Sequence, residues 1–154
     1  MTTSDIHIDS SLRTVEWKEN KVVMIDQTKL PNDLIFVEYS DYNQVADAIR
    51  TLVVRGAPAI GVSGAFGLAL ASLQSNANTK DELISDLEKA KKILFETRPT
   101  AVNLSWGLEQ IMKVANSKDD VDDIRNSVIN EAKKMADEDI TINKTMGKKW
   151  LTVI

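Results

Sequence analysis

Between Ala57 and Leu73 the chain carries no charged residue, and its polar positions there are only Ser63, Ser72 and the glycines at 61, 64 and 67. A helix with that composition is apolar on every face, so it must lie at the centre of a bundle with other elements around it. The run is shorter than the roughly 18 apolar residues that span a bilayer. Pro58 is expected to open the helix, because a first helical position needs no N–H, and the helix should run to about Ser75.

The rest of the chain divides at about Ser40. Before it, Thr14–Trp17, Lys21–Ile25 and Ile35–Tyr39 show the brief β-branched and aromatic runs of short strands. The polar stretch at 18–20 should join the first two as a hairpin, and Leu30-Pro31-Asn32-Asp33 should turn the chain into the third. After Ser40 the period becomes helical. Asp41 with Gln44 predicts a capped start, followed by a stripe of Val45, Ala48, Ile49 and Leu52. Thr79 with Glu82 predicts a helix lined by Leu83, Leu87, Ala90 and Leu94. A further helix after Pro99 should carry Val102, Leu104, Trp106, Leu108, Ile111 and Met112. The last, opened by Ser117 and Asp120, should present Val121, Ile124, Val128, Ala132, Met135 and Ile142, with Gly147 as its stop. The expected fold is α+β: a three-stranded antiparallel sheet over residues 1–40 and a bundle of about five helices over 41–147, together one domain, with 148–154 leading onward.

A chain of 154 residues buries roughly 70% of its unfolded surface and needs no disulfide. It has no cysteine and one histidine, which excludes thiol chemistry and Cys- or multi-His metal sites within it. The net charge of −4 argues against a nucleic-acid surface. No basic segment followed by an apolar run stands at the start, so the cytoplasm is the expected compartment. Neither a cofactor nor a metal is expected.

Chemistry concentrates at Val53-Val54-Arg55-Gly56-Ala57-Pro58. A guanidinium, a glycine able to take positive φ and the amino end of a helix meet there, which suits a bound phosphate. The same residues also suit a helix-to-helix turn whose arginine caps the carbonyls of the preceding helix. Thr97-Arg98-Pro99-Thr100 repeats the arrangement, an arginine before a proline that can open a helix, and two such arginines can share one sugar phosphate. The glycines at 61, 64 and 67 lack the spacing and preceding strand of a dinucleotide fingerprint, and instead point to close helix packing. Asp119, Asp120, Asp122 and Asp123 contain a D-D-x-x-D match, but aspartates at a helix start are explained by the dipole. The 137–139 acidic run reads as a solvated face, His7 as a surface residue, and Trp17, Trp106 and Trp150 as packing residues.

Arg13-Thr14-Val15-Glu16-Trp17, Asp26-Gln27-Thr28-Lys29-Leu30-Pro31, VVRGAPAIG from Val53 to Gly61 and TRPTAVNL from Thr97 to Leu104 occur in one order and spacing. In these segments the chain resembles the 5-methylthioribose-1-phosphate isomerase family over nearly its whole length. The wider superfamily includes ribose-1,5-bisphosphate isomerase and the regulatory subunits of the exchange factor for translation initiation. The resemblance implies an aldose-to-ketose isomerase of methionine salvage. Arg55, Gly56, Ala57 and Arg98 would then contact the sugar phosphate.

It implies further that the family's catalytic cysteine and aspartate belong to a carboxy-terminal Rossmann-like domain absent from these residues, so that no catalytic residue is expected here and the isolated chain should be inactive. The whole protein would be a homodimer. Lys149-Trp150 departs from the family pattern, which commonly has a glycine there. Two alternatives stand beside this one: a non-catalytic interaction protein like the initiation-factor subunits, and ribose-1,5-bisphosphate isomerase.

Overall fold

The computed structural model describes residues 14–153, with side chains described from 14 to 138. His7 and the side chains of Ile142 and Trp150 lie outside the described residues. Strands β1 (Val15–Lys18) and β2 (Lys21–Ile25) pair antiparallel, with Lys18 opposite Lys21. The two residues between them, Glu19 and Asn20, take φ of 53° and 60°, the double positive-φ turn whose twist matches a two-residue hairpin. β3 (Phe36–Tyr39) adds to the other edge of β2, giving the order β1-β2-β3. Central β2 buries Val22, Val23, Met24 and Ile25 in succession, and Trp17 of β1 stacks on Phe66 with ring centroids 5.8 Å apart. That contact seats the sheet on the helices.

Five helices follow: α1 (Tyr42–Arg50), α2 (Ala57–Gln74), α3 (Lys80–Thr97), α4 (Val102–Asn116) and α5 (Val121–Val153). At α1 the carboxylate of Asp41 accepts from the Asn43 N–H (2.7 Å) while Gln44 Oε1 accepts from the Asp41 N–H (3.3 Å), the expected capping box. Thr79 caps α3 by accepting from the Glu82 N–H, and Asp120 accepts from the Asp123 N–H at the start of α5. Leu83, Leu87, Ala90 and Leu94 are buried as their spacing requires, as are Ile124, Val128, Ala132 and Met135.

α2 is the axis of the bundle, touching α1, α3, α4, α5 and the sheet, with its residues from Ile60 to Ser72 buried. By length and hydropathy it matches a membrane span, but the other helices enclose it. α5 runs back along it. Arg125 donates to the carbonyls of Ser72 (2.9 Å), Ser75 (2.8 Å) and Ala77 (3.2 Å) at the carboxyl end of α2, where helix carbonyls lack partners and the dipole is negative. Met135 and Glu138, about three turns on, reach the amino end beside Pro58.

The glycines of α2 serve close packing. A Cβ on Gly61 would sit 2.7 Å from the Asn103 carbonyl oxygen, and one on Gly107 of α4 would sit 2.6 Å from the Gly61 carbonyl oxygen. Two helix backbones therefore touch along a seam that only glycine permits. At Gly64 the obstacle is Leu104, and at Gly67 it is Leu94.

Four expectations are corrected. Leu52 does not continue the α1 stripe, because the helix ends at Arg50 and Leu52 turns the chain at φ 66°. Pro99 does not open α4: Arg98 is the carboxyl cap of α3, the Ala101 N–H bonds the Arg98 carbonyl (3.0 Å), and the helix begins at Val102. Val102 and Trp106 are not in the core but 78% and 59% exposed. Gly147 does not stop α5, which continues to Val153; one glycine costs about 1 kcal/mol inside a helix and does not end it unaided.

Candidate functional site

The turn between α1 and α2 bears on the capping reading of Arg55. The last carbonyls of α1 are already taken: Asp47 by the Thr51 N–H (2.8 Å) and hydroxyl (2.8 Å), Ile49 by the Leu52 N–H (3.4 Å), and Ala48 by the Val53 N–H (3.0 Å). The backbone closes the helix itself, which leaves the guanidinium no capping role. Arg55 is exposed and forms no ion pair or side-chain hydrogen bond among the described residues.

Gly56 follows at φ 93° and ψ 131°, a conformation that L side chains rarely adopt, with open space where a Cβ would stand. Its role is to turn the chain. No side chain caps α2, and Pro58 at the second position has no amide, so the N–H groups of Ala57 and Ala59 are the free donors of the first turn. The amino end of α4 is likewise without a side-chain cap. The other three helices each have one, at Asp41, Thr79 and Asp120.

Arg98 sits half-buried in the turn before α4, and its side chain also lacks a polar partner among the described residues. Its main chain is fixed: its N–H bonds the Phe95 carbonyl (3.2 Å) and its carbonyl accepts from Ala101. Because Gly61 of α2 lies against Asn103 and Gly107 of α4, the second turn of α2 packs on the first two turns of α4, near the ends at which the Arg55 and Arg98 turns lead into these helices. The sequence paired Arg55, Gly56 and Ala57 with Arg98 by pattern, and the glycine seam is what joins their helices.

At the same end lies a cleft of about 200 Å³ lined by Pro58, Gly61, Val62, Asn103, Trp106, Met135 and Glu138. Asn103 is half-buried and its carboxamide has no hydrogen-bond partner among the described residues. Glu138 is exposed and forms a surface pair with Lys134 at 3.9 Å. Asn103, Trp106 and Glu138 were not singled out from the sequence as site residues. A signal existed: at 100° per residue, Trp106 falls roughly 180° from the centre of the Leu104, Leu108, Ile111, Met112 and Ala115 stripe.

The aspartates near 120 have structural partners. Asp119 pairs with Lys80 (3.4 Å), Asp120 caps α5, and Asp122 lies 3.7 Å from Arg125.

The family model described as the Initiation factor 2 subunit family matches residues 53–154. The chain is 43% identical over 146 residues to methylthioribose-1-phosphate isomerase of Geotalea uraniireducens, an alignment that takes in 94% of this chain and 42% of that protein. The chain thus spans about two fifths of the length of the curated relatives it matches. Among solved structures it is similar to 5-methylthioribose 1-phosphate isomerase from Pyrococcus horikoshii OT3, at 48% identity and a TM-score of 0.78 over 82% of this chain and 36% of that one. It is also similar to translation initiation factor eIF-2B, subunit delta, from A. fulgidus, at 42% identity and a TM-score of 0.80 over 84% and 38%. With the matching model extending over two thirds of its residues and including the Arg55 turn, α2 and α4, the chain belongs to the Initiation factor 2 subunit family.

Proposed function

We propose that this chain is the phosphate-binding part of a sugar-phosphate isomerase acting on 5-methylthioribose 1-phosphate. Arg55, the amides of Gly56 and Ala57, and Arg98 would hold the phosphate. The observation that carries the reading is that neither guanidinium has a polar partner among the described residues, while both precede helices that lack a side-chain cap and pack on each other close to their amino ends. Free guanidiniums beside free helix amides form a site for a doubly charged anion. The names of the Geotalea and Pyrococcus relatives supply the substrate class.

In such an enzyme the phosphate on the anomeric oxygen prevents simple ring opening, so holding it in place while protons move between C1 and C2 is a large part of catalysis. This chain contributes the holding. Proton transfer belongs to residues outside it, and the whole protein would be a cytoplasmic homodimer. The test is isomerase kinetics of the longer protein that carries this chain, with Arg55→Ala and Arg98→Ala beside the parent. Both changes should raise KM at least tenfold, and an unaltered KM in either removes that arginine from the site.

The similarity to the delta subunit of A. fulgidus eIF-2B favours a second reading, a non-catalytic partner-binding module. Assaying the longer protein with 5-methylthioribose 1-phosphate and with ribose 1,5-bisphosphate separates the readings: turnover of the first supports the proposal, turnover of the second alone reassigns the substrate, and turnover of neither favours the module.

A further inference from the structure

The phosphate reading leaves the cleft beside the arginine turns unused, and its lining is unlike the cradle. We propose that it is the sugar subsite and that Trp106, Asn103 and Glu138 set which pentose phosphate is accepted; this rests on the phosphate lying at the Arg55 turn. At about 200 Å³ the cleft is smaller than the roughly 300–1,000 Å³ of ordinary ligand pockets, which suits one pentose and not a nucleotide. Its walls divide by chemistry. Pro58, Val62 and Met135 are apolar, Trp106 offers a 59% exposed indole, and Asn103 and Glu138 bring an amide and a carboxylate.

A sugar presents C–H faces that stack on an aromatic ring and hydroxyls that bond to amides and carboxylates, so the two kinds of wall match the two kinds of sugar surface. Asn103 gives up no hydrogen bond to another described residue on binding, and Glu138 gives up only an exposed pair of small worth. The same lining selects at the far end of the sugar. An apolar 5-substituent such as a thioether loses water favourably against Trp106 and Met135, whereas a second phosphate there would meet the Glu138 carboxylate, and the Lys134 ammonium beside it is already paired with that carboxylate.

The experiment is calorimetric titration of the 154-residue chain with 5-methylthioribose 1-phosphate, ribose 1,5-bisphosphate and inorganic phosphate. The variants are Trp106→Ala, Trp106→Leu, Asn103→Ala, Glu138→Gln and Arg55→Ala, each checked for a parent-like circular dichroism melt. Trp106→Ala and Asn103→Ala should weaken 5-methylthioribose 1-phosphate five- to tenfold while inorganic phosphate stays within twofold, and Trp106→Leu should lose less. Glu138→Gln should narrow the preference over ribose 1,5-bisphosphate. If Arg55→Ala weakens every ligand but the Trp106 and Asn103 changes leave the ratio of sugar phosphate to phosphate as it was, the subsite is refuted and the phosphate site stands. If Arg55→Ala alters nothing, or no ligand binds, both are refuted.

Discussion

Gly107→Ala tests whether the glycine seam holds α2 and α4 in register. The added Cβ would start 2.6 Å from the Gly61 carbonyl oxygen, and ordinary contact begins at 3.4 Å, so the seam must open by about 0.8 Å. The obstacle is backbone and cannot rotate aside as a side chain would. Overpacking of this kind costs about 1–3 kcal/mol, and alanine's better helix propensity returns about 1 kcal/mol; with a backbone obstacle the cost lies at the upper end, leaving a net loss of about 2 kcal/mol. At a urea m-value of about 1–2 kcal/mol/M, the midpoint should fall by roughly 1 M. Gly61→Ala, aimed at the Asn103 carbonyl across the same seam, should lose a similar amount. The double variant should lose less than the two together, because one opening serves both methyl groups. Urea unfolding followed by circular dichroism measures all three. A midpoint for Gly107→Ala at or above the parent's, or strictly additive losses, would show that the helices have slack and that the seam does not position the site.

Three further outcomes follow from particular contacts. Arg125→Ala should destabilise the chain by about 2–3 kcal/mol by stripping charged donors from three carbonyls at the end of α2, and Arg125→Lys should recover less than half, since one ammonium cannot span them; a thermal melt equal to the parent's would contradict this. Gly56→Ala should cost about 1–3 kcal/mol through its φ of 93° alone, since no atom stands near the new methyl, and chemical unfolding that shows no loss would mean the turn relaxes freely. Burial, and then the nearby Asp26 carboxylate, raise the Tyr39 pKa above its ordinary 10.0. The folded chain therefore keeps this proton where the unfolded chain has lost it, so the contribution is whole below pH 10 and fades as pH climbs through the raised value; Tyr39→Phe should flatten the alkaline decline in stability between pH 9 and 12, and an unchanged slope would assign that decline to other groups.

Periodicity and capping chemistry made most of the fold legible. Asp41 and Gln44, the Leu83 to Leu94 stripe and the uncharged run after Ala57 each encode their element locally, and the local answer agrees with the global one. The errors fall where a local signal had a non-local or competing cause. Pro99 matches a helix start, but Arg98 and Ala101 close a turn around it first, and whether a proline opens a helix or occupies a turn depends on the residues after it. Trp106 is large and apolar, and residue type alone assigns it to the core; its angle on the helix, which places it opposite Leu108, was the better guide. At the candidate site, Arg55, Gly56, Ala57 and Arg98 could be named from motif. Asn103 and Glu138 could not, because they border one cleft only after α5 has folded back along α2.

An axis helix buried on all sides also has a history during biosynthesis. α2 leaves the ribosome complete by Gln74, but Val128, Ala132 and Met135, which help enclose it, are added some 50–60 residues later. At about 5–20 residues per second, that leaves the α5-facing side of an oily 18-residue helix uncovered for several seconds or more. The nascent chain in that interval shows the kind of apolar surface that makes folding intermediates prone to aggregate, and the finished domain has the same residues covered.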